Sequence, residues 1–316
     1  MENLSETFSV QVTKRRTVAE DVVEISLGWS CASPPSWGPG AHIDVILPSG
    51  AIRQYSLCNK TGHNEFVIAV LKELGGRGGS LEVHSALVVG TWVHVRGPRN
   101  HFVLNPAPSY LFLAGGIGIT PIMSMALDAS ERRIPWSLVY GGRTRSSMAY
   151  VEYLTSMADG RVSLVPQDEE GHPDFVTPMQ ELPPGGLVYA CGPEPMLAAT
   201  EAAASAIFPQ GSLHLERFGA KEGGVTVVGD RFDVELARSG CTLTVGPNDR
   251  LIDVVRTVAE VPFSCEEGYC GSCETRVVSG TPDHRDQVLN DDEHESNETM
   301  MLCVGRSLSR TLVLDL

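Results

Sequence analysis

The chain has 316 residues, 42% of them hydrophobic, and a formal net charge of −15. That length suggests two or three domains with real cores, and the acidic balance argues against a nucleic acid partner, which would need Lys and Arg patches. No run of about 18 apolar residues is available to span a membrane. The opening MENLSETFSV has no basic start followed by an apolar core, so no secretory signal is expected. The expected compartment is therefore a reducing cytoplasm, where clustered cysteines are more often metal ligands or redox groups than disulfides.

Residues 7–105 carry short alternating stretches, FSVQVTKRR, DVVEISLG, HIDVILPSG, NEFVIAVL and TWVHVRGP, separated by turn residues. This pattern predicts an antiparallel β-barrel or sandwich. NPAPS, at 105–109, breaks it. Over 110–226 the apolar strands YLFLAG, WSLVYG and GLVYAC alternate with the helical stretches PIMSMALDASE, AYVEYLTSMA and PMLAATEAAASAI, predicting a parallel doubly wound sheet. LERFGAKEGG then reads as a linker. From about 229, RFDVELARSGCTLTVG predicts a hairpin and DRLIDVVRTVAE a helix. A cysteine loop follows, and the strands CETRVVSG and TLVLDL complete a small mixed α+β domain. The expected domains are thus 1–105, 106–226 and 229–316. The last holds 17 acidic against 8 basic residues, a net of −9.

In that last domain FSCEEGYCGSCETR places Cys265, Cys270 and Cys273 within nine positions, and Cys303 follows in MMLCVG. A structural zinc site would offer two Cys-x2-Cys or Cys/His pairs, and only one Cys-x2-Cys is present. The spacing Cys-x4-Cys-x2-Cys…Cys is that of plant-type 2Fe–2S ferredoxins. Two bridged irons need four thiolates, and Gly268, Gly271 and Ser272 leave backbone N–H groups free to face the sulfides. Cys31, Cys58 and Cys241 lack such partners and read as small buried or half-buried thiols.

An entry point for electrons is expected in the middle block. In YLFLAGGIGITPIMSMA a strand meets a glycine turn and a helix, and Gly115, Gly116 and Gly118 allow the backbone to approach a pyrophosphate at the positive helix end. Thr120 is expected to cap that helix, with Pro121 at its first position. ACGPEPM, with Cys191, Gly192 and Pro193, likewise joins a strand to a helix, so both turns should share the carboxyl edge of the sheet.

AGGIGITP and CGP, paired with the upstream RQYSLCN, resemble the ferredoxin–NADP reductase superfamily. The order flavin, nucleotide, iron–sulfur over essentially the whole chain resembles the phthalate dioxygenase reductase family, whose members serve Rieske oxygenases, and within it the vanillate O-demethylase reductases. The resemblance implies an antiparallel β-barrel flavin domain, an α/β parallel-sheet nucleotide domain and an α+β, β-grasp ferredoxin domain. It also implies FMN, NADH and a 2Fe–2S cluster as cofactors. It places Arg53 on the flavin phosphate, Tyr55 stacked on the isoalloxazine ring, and Ser56, Leu57, Ala69 and Val70 as further flavin contacts. Gly78, Gly79 and Ser80 of GRGGS would form a second phosphate loop opening a short helix. Arg143, in YGGRTRSS, would meet the adenosine ribose. Arg145 beside it leaves room for the 2′-phosphate of NADPH. Cys191, with Tyr55, would stand at the site of hydride transfer, and Phe218 near the flavin–nicotinamide interface.

The implied path runs from NADH through FMN and the cluster to a Rieske-type terminal oxygenase of aromatic catabolism, met transiently by a monomeric chain. Two other readings are a reductase feeding a cytochrome P450 or an amine-type monooxygenase, and a redox-sensing module with a vestigial nucleotide site. The acidic cysteine domain reads either as a docking face for a basic patch or as an aid to solubility.

Overall fold

A computed structural model describes residues 7–29, 35–157, 160–209, 211–219 and 228–316. Cys31 and the part of the expected linker beyond Gly219 lie outside them. The chain divides into two compact units, 1–216 and 217–316.

The first unit opens with β1 (Thr7–Ala19), β2 (Val22–Gly28), β3 (His42–Ile46), β4 (Ile52–Ser56) and β5 (Glu65–Leu71). Helix α1 (Gly79–Ala86) and β6 (Trp92–Arg99) follow. The six strands form one antiparallel sheet in the order β4-β3-β6-β1-β2-β5, and its end strands β4 and β5 approach each other to close a barrel. Alternation buries Val10, Ile25, Ile43, Val45, Phe66, Ile68 and Val95 inside, as period-2 patterning requires. One ion pair is buried with them. Arg99 Nη2 lies 2.5 Å from Asp44 Oδ1, with side chains 7% and 1% exposed, and Gln54 Nε2 donates to the same oxygen at 3.1 Å.

The parallel sheet follows within the same unit. Its elements are β7 (Tyr110–Gly115), α2 (Ile119–Glu131), β8 (Trp136–Gly142), α3 (Val151–Ser156), β9 (Gly160–Pro166), α4 (Gln167–Glu170), α5 (Val176–Gln180), β10 (Leu187–Cys191), α6 (Glu194–Ile207) and β11 (Leu213–Glu216). The strand order is β11-β10-β7-β8-β9, all parallel. Helices cover both faces: α2 and α3 pack around Phe112, Leu138 and Tyr140, and α5 and α6 around Leu111, Leu113 and Val188. The run LHLE, expected to begin a linker at Leu215, is instead an edge strand paired with β10 from Val188↔Leu213 to Cys191↔Glu216. Four residues are too few for periodicity to reveal a strand.

Barrel and parallel sheet share apolar contacts. Val22, Cys58, Ala69, Phe102 and Leu104 belong to the same buried cluster as Phe112, Ile122 and Met125. The Tyr189 hydroxyl donates to Val103 O at 3.0 Å and accepts from Asn105 N at 2.7 Å. Gly40 N donates to Ser124 Oγ at 3.1 Å. Gly40 has φ +87°, and a Cβ there would collide with the Phe102 carbonyl, so glycine is needed twice over.

The second unit contains β12 (Phe232–Leu236), β13 (Cys241–Val245), α7 (Leu251–Val255), β14 (Glu274–Ser279), β15 (Pro282–Asp283), α8 (Asp291–Ser296), β16 (Thr299–Met301), β17 (Arg306–Ser307) and β18 (Thr311–Leu314). The hairpin β12–β13 forms as expected. The C-terminal β18 runs parallel to β12 in a mixed sheet ordered β13-β12-β18-β14-β16. The helix expected over DRLIDVVRTVAE is only the five residues of α7. Ile252 and Val255 enter the core, and the chain leaves the helix through consecutive turns.

Asp44→Ala should cost about 3–5 kcal/mol, because it leaves the Arg99 guanidinium buried without its counter-charge. Urea unfolding followed by circular dichroism measures this, and a loss under 1 kcal/mol would contradict a buried pair.

Candidate functional site

At the carboxyl edge of the parallel sheet two glycine turns lie backbone to backbone. A Cβ on Gly118 would overlap the Cys191 carbonyl and stand 2.8 Å from Gly192 N. One on Gly115 would meet Met196 Sδ at 2.6 Å and Pro193 Cδ at 2.7 Å. Gly115 and Gly118 therefore serve the packing of the two turns, whereas Gly116, with φ +54°, faces open space. Thr120 does not cap α2. The helix begins at Ile119, behind the 3-10 turn Gly116–Gly118, so Thr120 and Pro121 both lie within its first turn, and the Thr120 hydroxyl donates to Ile117 O at 2.9 Å. The tight glycine turn moves the helix start one residue ahead of the hydroxyl, so that Gly118, which has no side chain, occupies the cap position.

Cys191 ends β10 and is fully buried. Burial pushes its thiol well up, and the nearby Glu216 carboxyl adds to this. Glu216, at the end of β11, is paired in register with Cys191. Its carboxyl is pushed up to about 8, mainly by burial and against a hydrogen bond from the Ser56 hydroxyl. Its Oε2 is buried with no hydrogen-bond partner. A cysteine, a serine from the barrel and a carboxyl that holds its proton at neutral pH thus meet at one edge. Glu216 was not among the residues read from the sequence. The only signal for it was an acidic residue closing a short apolar stretch.

The barrel brings a guanidinium to an uncapped helix start. Residue alternation puts Arg53 and Tyr55 on one face of β4, and Arg53 lies against Gly79, where any Cβ would strike its side chain. Its Nη1 donates to Ile52 O at 2.8 Å and its Nη2 to Arg77 O at 3.2 Å. Gly78, at φ +80°, precedes α1 with no side-chain cap, so the helix presents bare N–H groups beside a guanidinium. The Ser80 hydroxyl is shared with the Glu73 backbone, accepting from its N at 3.0 Å. Burial pushes the Tyr55 hydroxyl up, opposed by Arg53. Leu57 is wholly buried, with its N–H on Ala41 O at 2.8 Å. Ala69 and Val70 are buried on opposite faces of β5, and the Val70 carbonyl is engaged by His84 Nε2 at 2.9 Å.

After β8, Arg143 is exposed. Arg145 pairs with Glu169 at 3.2 Å, both half exposed. The turn that begins at Arg145 is held by a capping box of Thr144 and Ser147. Phe218, just past β11, is 42% exposed.

In the second unit Cys265, Cys270, Cys273 and Cys303 are all buried. The free thiol of Cys265 lies within hydrogen-bonding reach of Cys270 and Cys303, and that of Cys303 within reach of Cys273. Sharing with Cys270 and Cys303 holds Cys265 far down, and it pushes those two thiols far up. Four sulfurs this close cannot all ionise without cations among them, and ferric ions meet that need. The loop turns inward through Glu266, Gly268 and Gly271, at φ +60°, +76° and +73°. Glu267 N donates to Cys265 Sγ at 3.3 Å and Cys303 N to Cys273 Sγ at 3.4 Å, the N–H···S bonds that favour bound thiolate. Arg250 anchors the loop through Glu266 at 2.9 Å. Cys58 and Cys241 stand apart as expected. Burial pushes the Cys58 thiol up to about 12.

Among the described residues no helix is long and apolar enough to cross a membrane. Residues 234–307 match the family described as a 2Fe-2S iron-sulfur cluster binding domain, and residues 112–202 match the oxidoreductase NAD-binding domain. The chain is 44% identical over 282 residues to the phenoxybenzoate dioxygenase subunit beta of Ectopseudomonas oleovorans, covering 88% of this chain and 87% of that one. It is 36% identical over 316 residues to the phthalate dioxygenase reductase of Burkholderia cepacia, covering 97% of each. A solved phthalate dioxygenase reductase, titled as a modular structure for electron transfer from pyridine nucleotides to [2Fe-2S], superposes with TM-score 0.70 at 35% identity, covering 98% of each chain. An intact type IV self-sufficient cytochrome P450 monooxygenase superposes with TM-score 0.91 at 36% identity; the match covers 98% of this chain but 41% of the longer one. With its three-cysteine loop joined by Cys303, paired nucleotide turns and full-length likeness, the chain belongs to the phthalate dioxygenase reductase family and is an NADH-dependent electron-transfer oxidoreductase with a 2Fe–2S domain.

Proposed function

We propose that the chain is the reductase component of a two-component Rieske-type oxygenase, working as a single chain that takes electrons from NADH through FMN and its 2Fe–2S cluster. The observation that carries this is the coexistence in one chain of the four converging thiols and the Ser56–Glu216–Cys191 edge. Arg53 and the start of α1 hold the flavin phosphate, and Tyr55 lies along the ring. Gly116 lets the dinucleotide pyrophosphate approach α2, and Arg143 meets the adenosine ribose. Cys191 and Glu216, both held uncharged by burial, would border the nicotinamide, where a carboxylate would oppose the negative charge that hydride carries to the flavin. A flavin held there would supply hydride acceptance and single-electron transfer. The protein residues set distance and orientation and keep water away.

The likeness to a P450 chain supports a second reading, in which the acceptor is a haem monooxygenase. Reconstitution separates them: turnover with a Rieske oxygenase but not with a P450 supports the first, and the reverse outcome refutes it.

Cys270→Ser replaces a soft thiolate with a poor iron ligand. Iron should fall well below two per chain, with NADH–ferricyanide activity kept and reduction of cytochrome c or of an oxygenase largely lost. Near wild-type oxygenase turnover by this variant would refute the linear path.

Arg145 is already committed to Glu169, so kcat/KM should favour NADH over NADPH. Equal or better use of NADPH would overturn that preference.

Because burial raises the Glu216 carboxyl above its unfolded value of 4.5, its stabilising contribution is complete below about pH 4.5 and is lost as pH rises through about 8. NADH oxidation should decline over the same alkaline range as the carboxylate forms. Glu216→Gln, which cannot ionise, should lower the rate and flatten that limb. An unchanged alkaline limb in the variant would assign the titration to another group.

A further inference from the structure

His284 and Asp286, between β15 and α8, and His294, in α8, bring their ligand atoms within 4.8 Å of one another. His284 Nδ1 lies 3.8 Å from Asp286 Oδ1 and His294 Nε2 lies 3.4 Å from Asp286 Oδ2. The two imidazoles stack at 4.6 Å. The Asp286 side chain is 1% exposed and that of His284 10%, whereas His294 keeps 29%. None of these residues belongs to the thiol loop or to the nucleotide edge.

Hydrogen bonding leaves a specific vacancy. Asn297 Nδ2 donates to Glu295 O at 3.0 Å, which turns its Oδ1 to His284 Nε2 at 3.3 Å. His284 Nε2 is then the donor, and Nδ1 carries a bare lone pair. Asp286 Oδ2 accepts from Val288 N at 3.1 Å and Leu289 N at 2.9 Å, which fixes the carboxylate and leaves Oδ1 free. His284 Nδ1 and Asp286 Oδ1 are both buried without a hydrogen-bond partner. Two acceptors face each other at a distance too long for a shared proton.

We propose that His284, Asp286 and His294 form a binding site for a divalent cation of the zinc class. Donors around tetrahedral zinc lie roughly 3.3 Å apart, so the widest spacing, within 4.8 Å, must close by up to about 1.5 Å, which side-chain rotation supplies. Two imidazoles and a carboxylate suit zinc and neighbouring first-row ions rather than magnesium or calcium. His284 already donates its remote N–H to Asn297, the outer-shell arrangement that metal-bound histidines adopt. The partial exposure of His294 leaves an entry path and a fourth position for water. Asp292, Glu293 and Glu295 are exposed on α8 and draw cations toward it. The site clasps a segment packed on the thiol loop, because Gln287 N donates to Gly268 O at 2.8 Å and Asp286 Cα lies 3.2 Å from where a Gly268 Cβ would stand. The bound ion would brace that segment.

The test uses the untagged full chain with its flavin and cluster intact. Zn²⁺ is titrated by calorimetry, and retained metals are counted by elemental analysis after dialysis. One zinc per chain should remain while iron stays at two. His294→Gln, on the half-exposed helix, and His284→Gln should each weaken zinc binding at least tenfold with the visible spectrum of the cluster unchanged. The proposal is overturned if zinc does not bind, if it binds only as iron is lost, or if both variants retain it as the parent does, which would mark it as adventitious surface binding.

Discussion

The close approach of two backbone turns at the carboxyl edge of the parallel sheet governs the chemistry of the first unit. Gly118 sits under the Cys191 carbonyl with no room for a side chain, so the β7 and β10 turns act as one surface. β10 pairs with β7 on one side and β11 on the other, which carries Cys191 and Glu216 to the same level. Shared packing of barrel and sheet then brings Ser56 to the Glu216 carboxyl. A side chain at Gly118 or Gly115 would push the two turns apart and with them the meeting of these three side chains.

The two units handle charge in opposite ways. At the nucleotide edge burial keeps Cys191 and Glu216 neutral, so no anion stands where a hydride would bring negative charge to its acceptor. In the second unit the four cysteines are drawn together, with backbone N–H groups aimed at sulfur, an arrangement suited to thiolates gathered around metal. The same residue type is an uncharged wall in one place and a ligand in the other. Local electrostatics makes that difference.

The barrel adds a third treatment, the fully desolvated Arg99–Asp44 pair. Such a pair contributes little net stability but penalises any arrangement that separates it. It ties β3 to β6 in the sheet that also carries Arg53 and Tyr55 on β4.

The sequence alone determined whatever depends on short-range spacing. Alternation marked the barrel strands, βα periodicity marked the nucleotide sheet, and the intervals between Cys265, Cys270 and Cys273 marked the cluster loop, because one continuous loop supplies three ligands. Helix starts and short elements were less legible. Thr120 read as a cap until the glycine turn set the helix boundary ahead of it, and β11 was hidden in an apparent linker because four residues carry no period. Glu216 was out of reach for a deeper reason. Its protonation arises from its burial, against a hydrogen bond from a serine on β4, at an edge shared with a cysteine on β10, groups far apart in the chain. Only the tertiary structure could decide that they meet, because desolvation belongs to the packed edge and to no segment by itself.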